Sequence, residues 1–382
     1  MAKDLHPHAS WGTKMESNVY FIDLRATYKE NFLNKIGRLA EAAGISETVK
    51  PRDLVGVKLH FGELGNTAFI RPVFIRKIVE VIKSIGGVPF LTDCNTVYAG
   101  TRSDTPNHLK TAFQNGFAYS VVNAPVVIAD GLRGRNETVV TIDQKRFKEV
   151  YIGSDIAEVD SLVSVAHFKG HELAGFGGSI KNIAMGCASR RGKLAQHSQL
   201  SPKVVAKKCI GCGECEDHCS QGAIALFEEK AVINPEICIG CGECIIICPS
   251  SAVQIQWNQD IPVFFENMVE YAFGALKGKE KKVLFLNFIT DVSPGCDCMP
   301  HNDAPIVRSI GVVASTDPVA IDQASVDLVN QEKGIPGSCL QINTEQGEDK
   351  FKGIYPNIDW PLQLDYAQRL GMGSRNYKLV SI

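Results

Sequence analysis

The sequence predicts an α/β fold in which a mostly parallel sheet, flanked by helices, is interrupted by a small α+β domain. Strand-like and helix-like stretches alternate along most of the 382 residues, the order expected of parallel strands joined by crossover helices. Eight of the thirteen cysteines lie between residues 209 and 248, in a run that is duplicated. The alternation resumes after this run. We therefore predict one discontinuous domain, residues 1–200 and 258–382, with an inserted domain at residues 201–257.

The predicted strands and helices follow from hydrophobic periodicity and from turn residues. Val55–His60 alternates as a strand does, and Arg71–Ile85 has apolar residues at helical spacing. Gly86 and Gly87 then end the helix. The other predicted elements are strands at Val88–Thr92, Ala124–Ala129, Ser161–Ala166, Lys282–Ile289 and Ser309–Ala314, and a helix that Thr316-Asp317-Pro318 opens and that runs through Gln331.

Composition excludes several classes of protein. The chain is 45% hydrophobic and 21% charged, which is ordinary for a globular protein, and its net charge of −2 argues against a strongly basic nucleic-acid binder. No apolar run approaches the roughly 18 residues of a membrane helix, so we predict no membrane insertion. Residues 1–14 carry no apolar signal segment, and we expect a cytoplasmic protein.

The duplicated cysteine run predicts two 4Fe–4S clusters. Each copy reads C-x2-C-x2-C-x3-C, and the seven residues CIGCGEC recur unchanged 29 positions later. In two-cluster ferredoxins the fourth cysteine of each run binds the other cluster. We therefore assign a first set, Cys209, Cys212, Cys215 and Cys248, to one cluster, and a second set, Cys238, Cys241, Cys244 and Cys219, to the other.

The segment resembles bacterial-type two-cluster ferredoxins over about residues 202 to 257. Zinc is the alternative, but zinc ribbons use two separated C-x2-C pairs rather than eight ligands in two identical runs. Four lysines and seven acidic residues give the segment a net charge of −3. This acidic surface can attract a basic redox partner protein, or it can simply be solvated.

Polar residues follow the predicted strands, and they predict a shared cleft. In open α/β sheets, ligands bind beyond the carboxyl ends of the strands. These ends carry Lys58 to Glu63, Asp93 and Cys94, His167 to Glu172, Asp291 with Cys296 to His301, and Ser315 to Asp317. In this cleft we predict His60 or His167 as a general acid, and Lys181 with Lys169 as the groups that hold a small anionic ligand.

The glycine-rich stretch from Gly175 to Asn182 predicts a loop that leads into a helix. The exposed N–H groups of such a helix can hold a carboxylate or a phosphate, and Lys181 adds positive charge. The stretch matches neither G-x4-G-K-[ST] nor G-x-G-x2-G, so nucleotide binding has no direct support. The alternative is that the glycines serve a tight turn and close packing. Arg190, Arg191, Lys193 and His197, which follow it, either grip an anion or form a solvated stretch.

Three further cysteines are candidates for a third metal site. Cys296 and Cys298 are separated by one residue, a spacing at which a disulfide is strained. With Cys187 as a third ligand and His301, His167 or His171 as a fourth, they could hold zinc or iron. The alternatives are a reactive thiol and ordinary buried cysteines.

Two stretches of the chain resemble a known family. His167–Lys193, with GFGGSIKN, and the later GCDCMP segment resemble a broad prokaryotic domain of unknown function, whose members are uncharacterised iron–sulfur centre proteins. The resemblance implies iron–sulfur binding and redox work. Three functions fit: an oxidoreductase whose clusters exchange electrons with a cleft ligand, a non-catalytic electron-transfer subunit that docks a partner enzyme, and a redox or iron sensor.

Overall fold

The computed structural model describes residues 16–197, 201–256 and 260–382. The predicted domain boundary at 257/258 falls in the second internal gap, and the boundary at 200/201 lies at the edge of the first. The prediction about a signal segment concerns residues 1–14, which lie outside the described residues. Among the helices that are described, none combines the length and the apolar character that crossing a membrane requires.

The part of the chain before the cysteine-rich run forms most of the sheet. Its strands are β1 (Ser17–Asp23), β2 (Leu54–Lys58), β3 (Val88–Asp93), β4 (Val126–Ile128), β5 (Glu137–Thr141), β6 (Glu149–Gly153), β7 (Ser161–His167), β8 (Lys169–His171) and β9 (Gly175–Gly177). Its helices are α1 (Phe32–Ala42), α2 (Ile45–Thr48), α3 (Pro72–Ile85), α4 (Thr105–Gln114), α5 (Tyr119–Val122), α6 (Ser154–Glu158), α7 (Ser179–Cys187) and α8 (Arg190–His197).

The cysteine-rich segment is small and has short elements. These are β10 (Lys203–Val204), α9 (Glu214–Asp217), β11 (Ile224–Phe227), β12 (Lys230–Ile233), α10 (Glu243–Ile247) and β13 (Val253–Gln254). The chain then continues with α11 (Ile261–Leu276), β14 (Val283–Ile289), β15 (Gly311–Ser315), α12 (Pro318–Asn330), α13 (Lys350–Ile354), α14 (Pro361–Arg369) and β16 (Tyr377–Ser381).

The central sheet has eight strands in the order β16-β1-β15-β14-β7-β2-β3-β4. Five of its seven strand pairs are parallel, and the two pairs that involve β15 are antiparallel. The predicted α/β class with a mostly parallel sheet is therefore confirmed. β14 and β7 lie in the middle of the sheet and are buried along their whole length, as expected for strands covered on both faces.

Alternate residues of each strand face opposite layers of helices. Leu284, Leu286 and Phe288 of β14 pack in the hydrophobic core that holds α1 and α3. Phe285 and Ile289 of the same strand pack in the other core, with α7, α11 and α12. This is the period-two pattern of a strand buried between two layers. The sheet therefore has helices on both faces, and its strand ends are left open for a site.

Candidate functional site

The carboxyl ends of β2, β3, β7 and β14 meet at a cavity of about 500 Å³. These four strands run parallel and adjacent, so the residues that follow them converge, and the predicted shared cleft is confirmed. The cavity is lined by predicted residues from all four strand ends, together with residues of α7 and α8: Lys58, His60, Asp93, Cys94, His167, Lys169, His171, Glu172, Lys181, Asn182, Lys193, His197, Cys296 and Cys298.

The fifth predicted strand end lies elsewhere. β15 runs antiparallel to both of its neighbours, β1 and β14. Its carboxyl end therefore lies at the end of the strands that is opposite the cavity. There Asp317 accepts hydrogen bonds from the backbone N–H groups of Val319 and Ala320 at 2.9 Å, and from Ser17 Oγ at 2.7 Å. Asp317 is thus a helix cap for α12, and the expectation that it joins the cleft was wrong.

His60 presents a neutral ring N–H to the cavity. The backbone N–H of Gly62 donates to His60 Nδ1 at 3.0 Å, so the ring proton is on Nε2. Burial, together with the charge of Arg102, keeps the pKa of His60 well below its usual value. His60 can therefore donate a hydrogen bond to a ligand, and it stays uncharged at neutral pH.

His167, the other predicted general acid, is engaged by the protein on both ring nitrogens. Its Nδ1 lies 2.9 Å from Asp297 Oδ1, and its Nε2 lies 2.8 Å from the Thr290 carbonyl oxygen. These two partners occupy both ring nitrogens, so neither nitrogen is left for a ligand. In this arrangement His167 positions Asp297 rather than acting as a proton donor to the cavity.

Lys181 lies in the cavity wall beside the C-x-C pair. Its Nζ is 3.7 Å from Cys296 Sγ. Burial acts to lower the pKa of Lys181, but the negative charges of Cys296, Cys298 and Glu172 together outweigh it and raise that pKa. The hydrogen bond from Cys298, and then the charge of Lys181, hold the pKa of Cys296 well below its usual value, whereas the same pairing raises the pKa of Cys298.

Cys187 does not join the C-x-C pair. It is buried at the end of α7, where its carbonyl oxygen accepts a hydrogen bond from Cys94 Sγ at 3.6 Å. Burial raises the pKa of Cys187 to about 11. Within the described ranges, moreover, no three His, Cys, Asp or Glu side chains are placed to hold a single metal ion. The predicted site of Cys187, Cys296 and Cys298 is therefore not assembled by these residues.

The N-terminus of α7 already holds a carboxylate, and it comes from the chain itself. Asp322 of α12 accepts the backbone N–H groups of Ser179 at 2.7 Å and Ile180 at 3.0 Å. A methyl group placed on Gly178 would lie 2.3 Å from Asp322 Oδ1, so the glycine permits this close approach. The packing interpretation of the glycine-rich stretch is therefore correct, and an external anion has no place at this helix end.

An ion-pair network in the wall of the cavity was not predicted from the sequence. Lys58 Nζ lies 3.2 Å from Asp93 Oδ1, and Arg102 lies 3.5 Å from Asp93 and 3.1 Å from Glu63. Arg102 Nη2 also donates to Tyr98 Oη at 2.7 Å. Arg102 and Tyr98 lie in a loop that has neither a motif nor a hydrophobic period. The sequence signal for them is that two long polar side chains occur in a loop rich in glycine and threonine.

Basic side chains outnumber acidic ones among the residues that line the cavity. Five of its lining residues are lysine or arginine and two are aspartate or glutamate. Lys193 is among the five, as expected of a basic stretch that grips an anion, whereas Arg190 is directed away from the cavity to Glu243 at 2.7 Å. Lys58, Arg102 and Lys169 pair with carboxylates of the chain, which leaves Lys181 and Lys193 as the lining cations best placed to meet an anion.

The eight clustered cysteines line two small cavities, and they divide between them four and four. Cys209, Cys212, Cys215 and Cys248, the first set, line one cavity. Cys219, Cys238, Cys241 and Cys244, the second set, line the other. Each cavity thus takes three cysteines from one run and the last cysteine of the other run.

The duplicated sequence has a duplicated backbone around these cavities. Gly211 and Gly240 occupy corresponding positions with φ of 68° and 70°. The backbone N–H of Ala223 donates to Cys219 Sγ at 3.3 Å, and that of Ala252 donates to Cys248 Sγ at 3.2 Å. Positive φ and N–H groups directed at sulfur are what thiolates bound to an iron–sulfur cluster require.

The second set of cysteines lies directly behind the wall of the large cavity. A methyl group placed on Gly242 would lie 3.4 Å from a side-chain carbon of Val97, which also lines the large cavity. Leu194 of α8 packs in the same small core as Val97 and the cysteines. Gly240 and Gly242, which flank Cys241 of the second set, therefore approach Leu194 and Val97, and Val97 is shared with the wall of the large cavity.

Glu243 holds the cysteine-rich segment against the rest of the protein. This buried carboxylate lies 2.7 Å from Arg190, 2.9 Å from Arg133 and 3.3 Å from Arg135. Its counterpart in the first run, Glu214, faces solvent. The asymmetry between two otherwise identical runs shows that the second run carries the contact with the α/β domain.

Comparison with known proteins identifies the family of the chain. The structure is similar to the lactate racemase apoprotein of Thermoanaerobacterium thermosaccharolyticum, with a TM-score of 0.40 and 14% identity over 91% of this chain and 81% of that chain. It is also similar to a structural-genomics protein of Thermotoga maritima, with a TM-score of 0.35 and 10% identity over 70% of this chain and 52% of that one. No protein of curated function matches the sequence. Residues 55–327 match the model of DUF362, a domain of unknown function, and the chain belongs to that family.

Proposed function

We propose that this chain binds two 4Fe–4S clusters and passes electrons between an external redox partner and an anionic ligand in the large cavity. One observation carries the proposal: the two small cavities are lined by the same two sets of four cysteines that crossed ligation requires. When bound, the clusters supply single electrons. The resemblance of the segment to two-cluster ferredoxins supports the same assignment.

The described residues suit cubane clusters better than single ions. A zinc ribbon uses two separated C-x2-C pairs for one ion, whereas this chain has eight cysteines in two identical runs that divide four and four between two cavities. The N–H groups of Ala223, Ala252 and Ala231, which donate to cysteine sulfurs, fit thiolates that carry negative charge.

The two sets of cysteines differ in what surrounds them, and this difference suggests a direction through the protein. Cys212 of the first set is exposed, and its neighbour Ile210 has 66% of its surface exposed. In the second set, Gly240 and Gly242 beside Cys241 approach Leu194 and Val97, and Val97 also lines the large cavity. In this proposal a partner with a basic surface docks on the acidic, exposed first set, and the second set serves the cavity.

The chain's own residues would bind the ligand and orient it. Lys181 and Lys193 attract negative charge, and His60 Nε2–H donates a hydrogen bond. His60 remains neutral, so this donation does not change with pH near neutrality. The competing proposal, a non-catalytic electron carrier, shares the exposed acidic surface but assigns no role to a cationic cavity.

A pair of substitutions tests which set serves the cavity. Leu194→Asn places a polar amide beside the second set, and Leu226→Asn does the same beside the first set. Polar groups near a cluster raise its reduction potential, by something on the order of tens of millivolts. Potentiometric titration followed by electron paramagnetic resonance should show one cluster shifted in each variant, and a different one in each. Leu194→Ala controls for lost packing. If Leu194→Asn shifts neither potential, or shifts the cluster that Leu226→Asn shifts, the proposed placement is wrong.

A further inference from the structure

The loop that carries Cys296 and Cys298 forms a tight turn at the cavity wall. The backbone N–H of Met299 donates to the Cys296 carbonyl oxygen at 3.0 Å, and that of Cys298 donates to Cys296 Sγ at 3.4 Å. The ends of such a turn lie within about 7 Å. Cys296 and Cys298 are separated by two Cα–Cα steps of about 3.8 Å, and the bend of the turn brings them within the Cα separation of disulfides, which extends to about 6.8 Å.

The residue between the two cysteines anchors the turn from behind. Asp297 is fully buried and lies 2.9 Å from His167 and 3.6 Å from Lys169. Its carbonyl oxygen accepts the backbone N–H of Glu63 at 2.9 Å. The carboxylate is thus directed into the protein while both thiols line the cavity. This explains why His167 is committed on both nitrogens.

The surroundings of Cys296 stabilise a thiolate. Lys181 Nζ lies 3.7 Å from its sulfur, and the Cys298 N–H is directed at the same atom. His171 accepts the backbone N–H groups of Leu173 and Ala174 on Nδ1, so its Nε2 carries the proton. A thiolate is the form of cysteine that attacks sulfur electrophiles.

We propose that Cys296 and Cys298 are a reversible dithiol–disulfide pair that reduces an anionic disulfide bound in the large cavity. The inference rests on the proposed function only for the electrons that restore the dithiol. The cationic lining selects a disulfide that bears carboxylates. Strain in a C-x-C disulfide opposes closure of the pair, so an excess of the ligand disulfide drives the exchange forward.

The exchange balances as follows. The Cys296 thiolate attacks one sulfur of the ligand, whose S–S bond breaks, and the first ligand thiolate leaves and takes up a proton from solvent. Cys298 then gives up its proton and attacks Cys296 Sγ, and the second ligand thiolate leaves with that proton. Restoring Cys296 thiolate and Cys298 thiol takes two electrons and one proton, and the electrons come singly from the redox partner protein.

Two small disulfides of opposite charge test this inference on the full chain. Dithiodiglycolate carries two carboxylates, and cystamine carries two ammonium groups. We expect dithiodiglycolate to produce the Cys296–Cys298 disulfide, seen by peptide mass spectrometry as the loss of two hydrogens, at least ten times faster than cystamine does. Cys298→Ser should stop at a mixed disulfide on Cys296. Cys339, which is exposed, serves as the internal control and should show no preference for the anion.

Lys181 provides the matched variants. Lys181→Met should abolish the preference for dithiodiglycolate, and Lys181→Arg should restore it, which shows that the protein still folds around the site. The inference is overturned if Cys296 reacts no faster than Cys339, or if no linked pair forms. Iron content is measured on the same samples. Thiol–disulfide exchange in a chain without iron would contradict the proposed function alone. Bound iron in a chain that shows no exchange would contradict this inference alone.

Discussion

Replacing Glu243 by glutamine is expected to lower the free energy of unfolding by about 3–5 kcal/mol. The Glu243 side chain is 4% exposed and Arg190, its nearest partner, is 1% exposed, so the substitution leaves a buried guanidinium without a counter-charge. Arg133 and Arg135 are more exposed and can turn to solvent, which Arg190 cannot do. Urea denaturation under anaerobic conditions measures the loss. The same variant should weaken the contact that places the second set of cysteines beside the cavity.

The internal repeat supplies the control for this substitution. Glu214 occupies the same position in the first run but faces solvent, and it pairs with His218 at 3.8 Å on the surface. Exposed pairs of this kind contribute between 0 and about 1 kcal/mol. Glu214→Gln should therefore leave stability nearly unchanged. Equal stability of the two variants would show that Glu243 does not hold the segment in place.

Replacing Asp93 by asparagine is expected to cost a similar amount, about 3–5 kcal/mol. Burial acts to raise the pKa of Asp93, but Lys58 and His108 with Arg102 outweigh it, and the pKa lies below its usual value of 3.8. Asp93 is therefore a carboxylate at neutral pH. Its removal leaves two buried cations, Lys58 and Arg102, without this partner. A carboxylate with a lowered pKa contributes its full stability above its usual pKa of 3.8. The substitution should therefore lower the free energy of unfolding by the full amount at pH 7.

The surface pair of Asp359 and Lys352 provides the comparison for Asp93. It has a similar separation, 3.0 Å, but both side chains are exposed. Asp359→Asn should change the unfolding free energy by less than about 1 kcal/mol. If Asp93→Asn also changes the free energy of unfolding by less than about 1 kcal/mol, the ion-pair network in the cavity wall is solvated rather than buried.

Hydrophobic pattern was sufficient to predict the central strands but not their directions. Val55–His60, Val88–Thr92 and Lys282–Ile289 each correspond to a parallel strand of the sheet. Ser309–Ala314 was also found as a strand, yet nothing local in it records that it runs antiparallel. The direction of a strand depends on how it pairs with distant segments. For this reason Asp317 was assigned to the wrong end of the strands.

The site was predictable where a residue follows a buried strand, and unpredictable where a partner comes from far along the chain. His60, Asp93 and Cys296 were found because strand ends converge. The carboxylate that caps α7 comes from Asp322, 143 positions away from Ser179. No pattern around the GFGGSIKN stretch could indicate that this carboxylate, rather than a ligand, occupies the helix end.

The most direct test of the central claim is an anaerobic count of iron, acid-labile sulfide and zinc on the full chain. Two cubane clusters predict about eight irons and eight sulfides per chain. The variant with both Cys296→Ser and Cys298→Ser should keep these numbers, and Cys209→Ser and Cys248→Ser should each damage the same one of the two clusters. A chain that holds zinc and no sulfide, or in which Cys248→Ser damages the cluster that Cys238→Ser damages, would contradict the account.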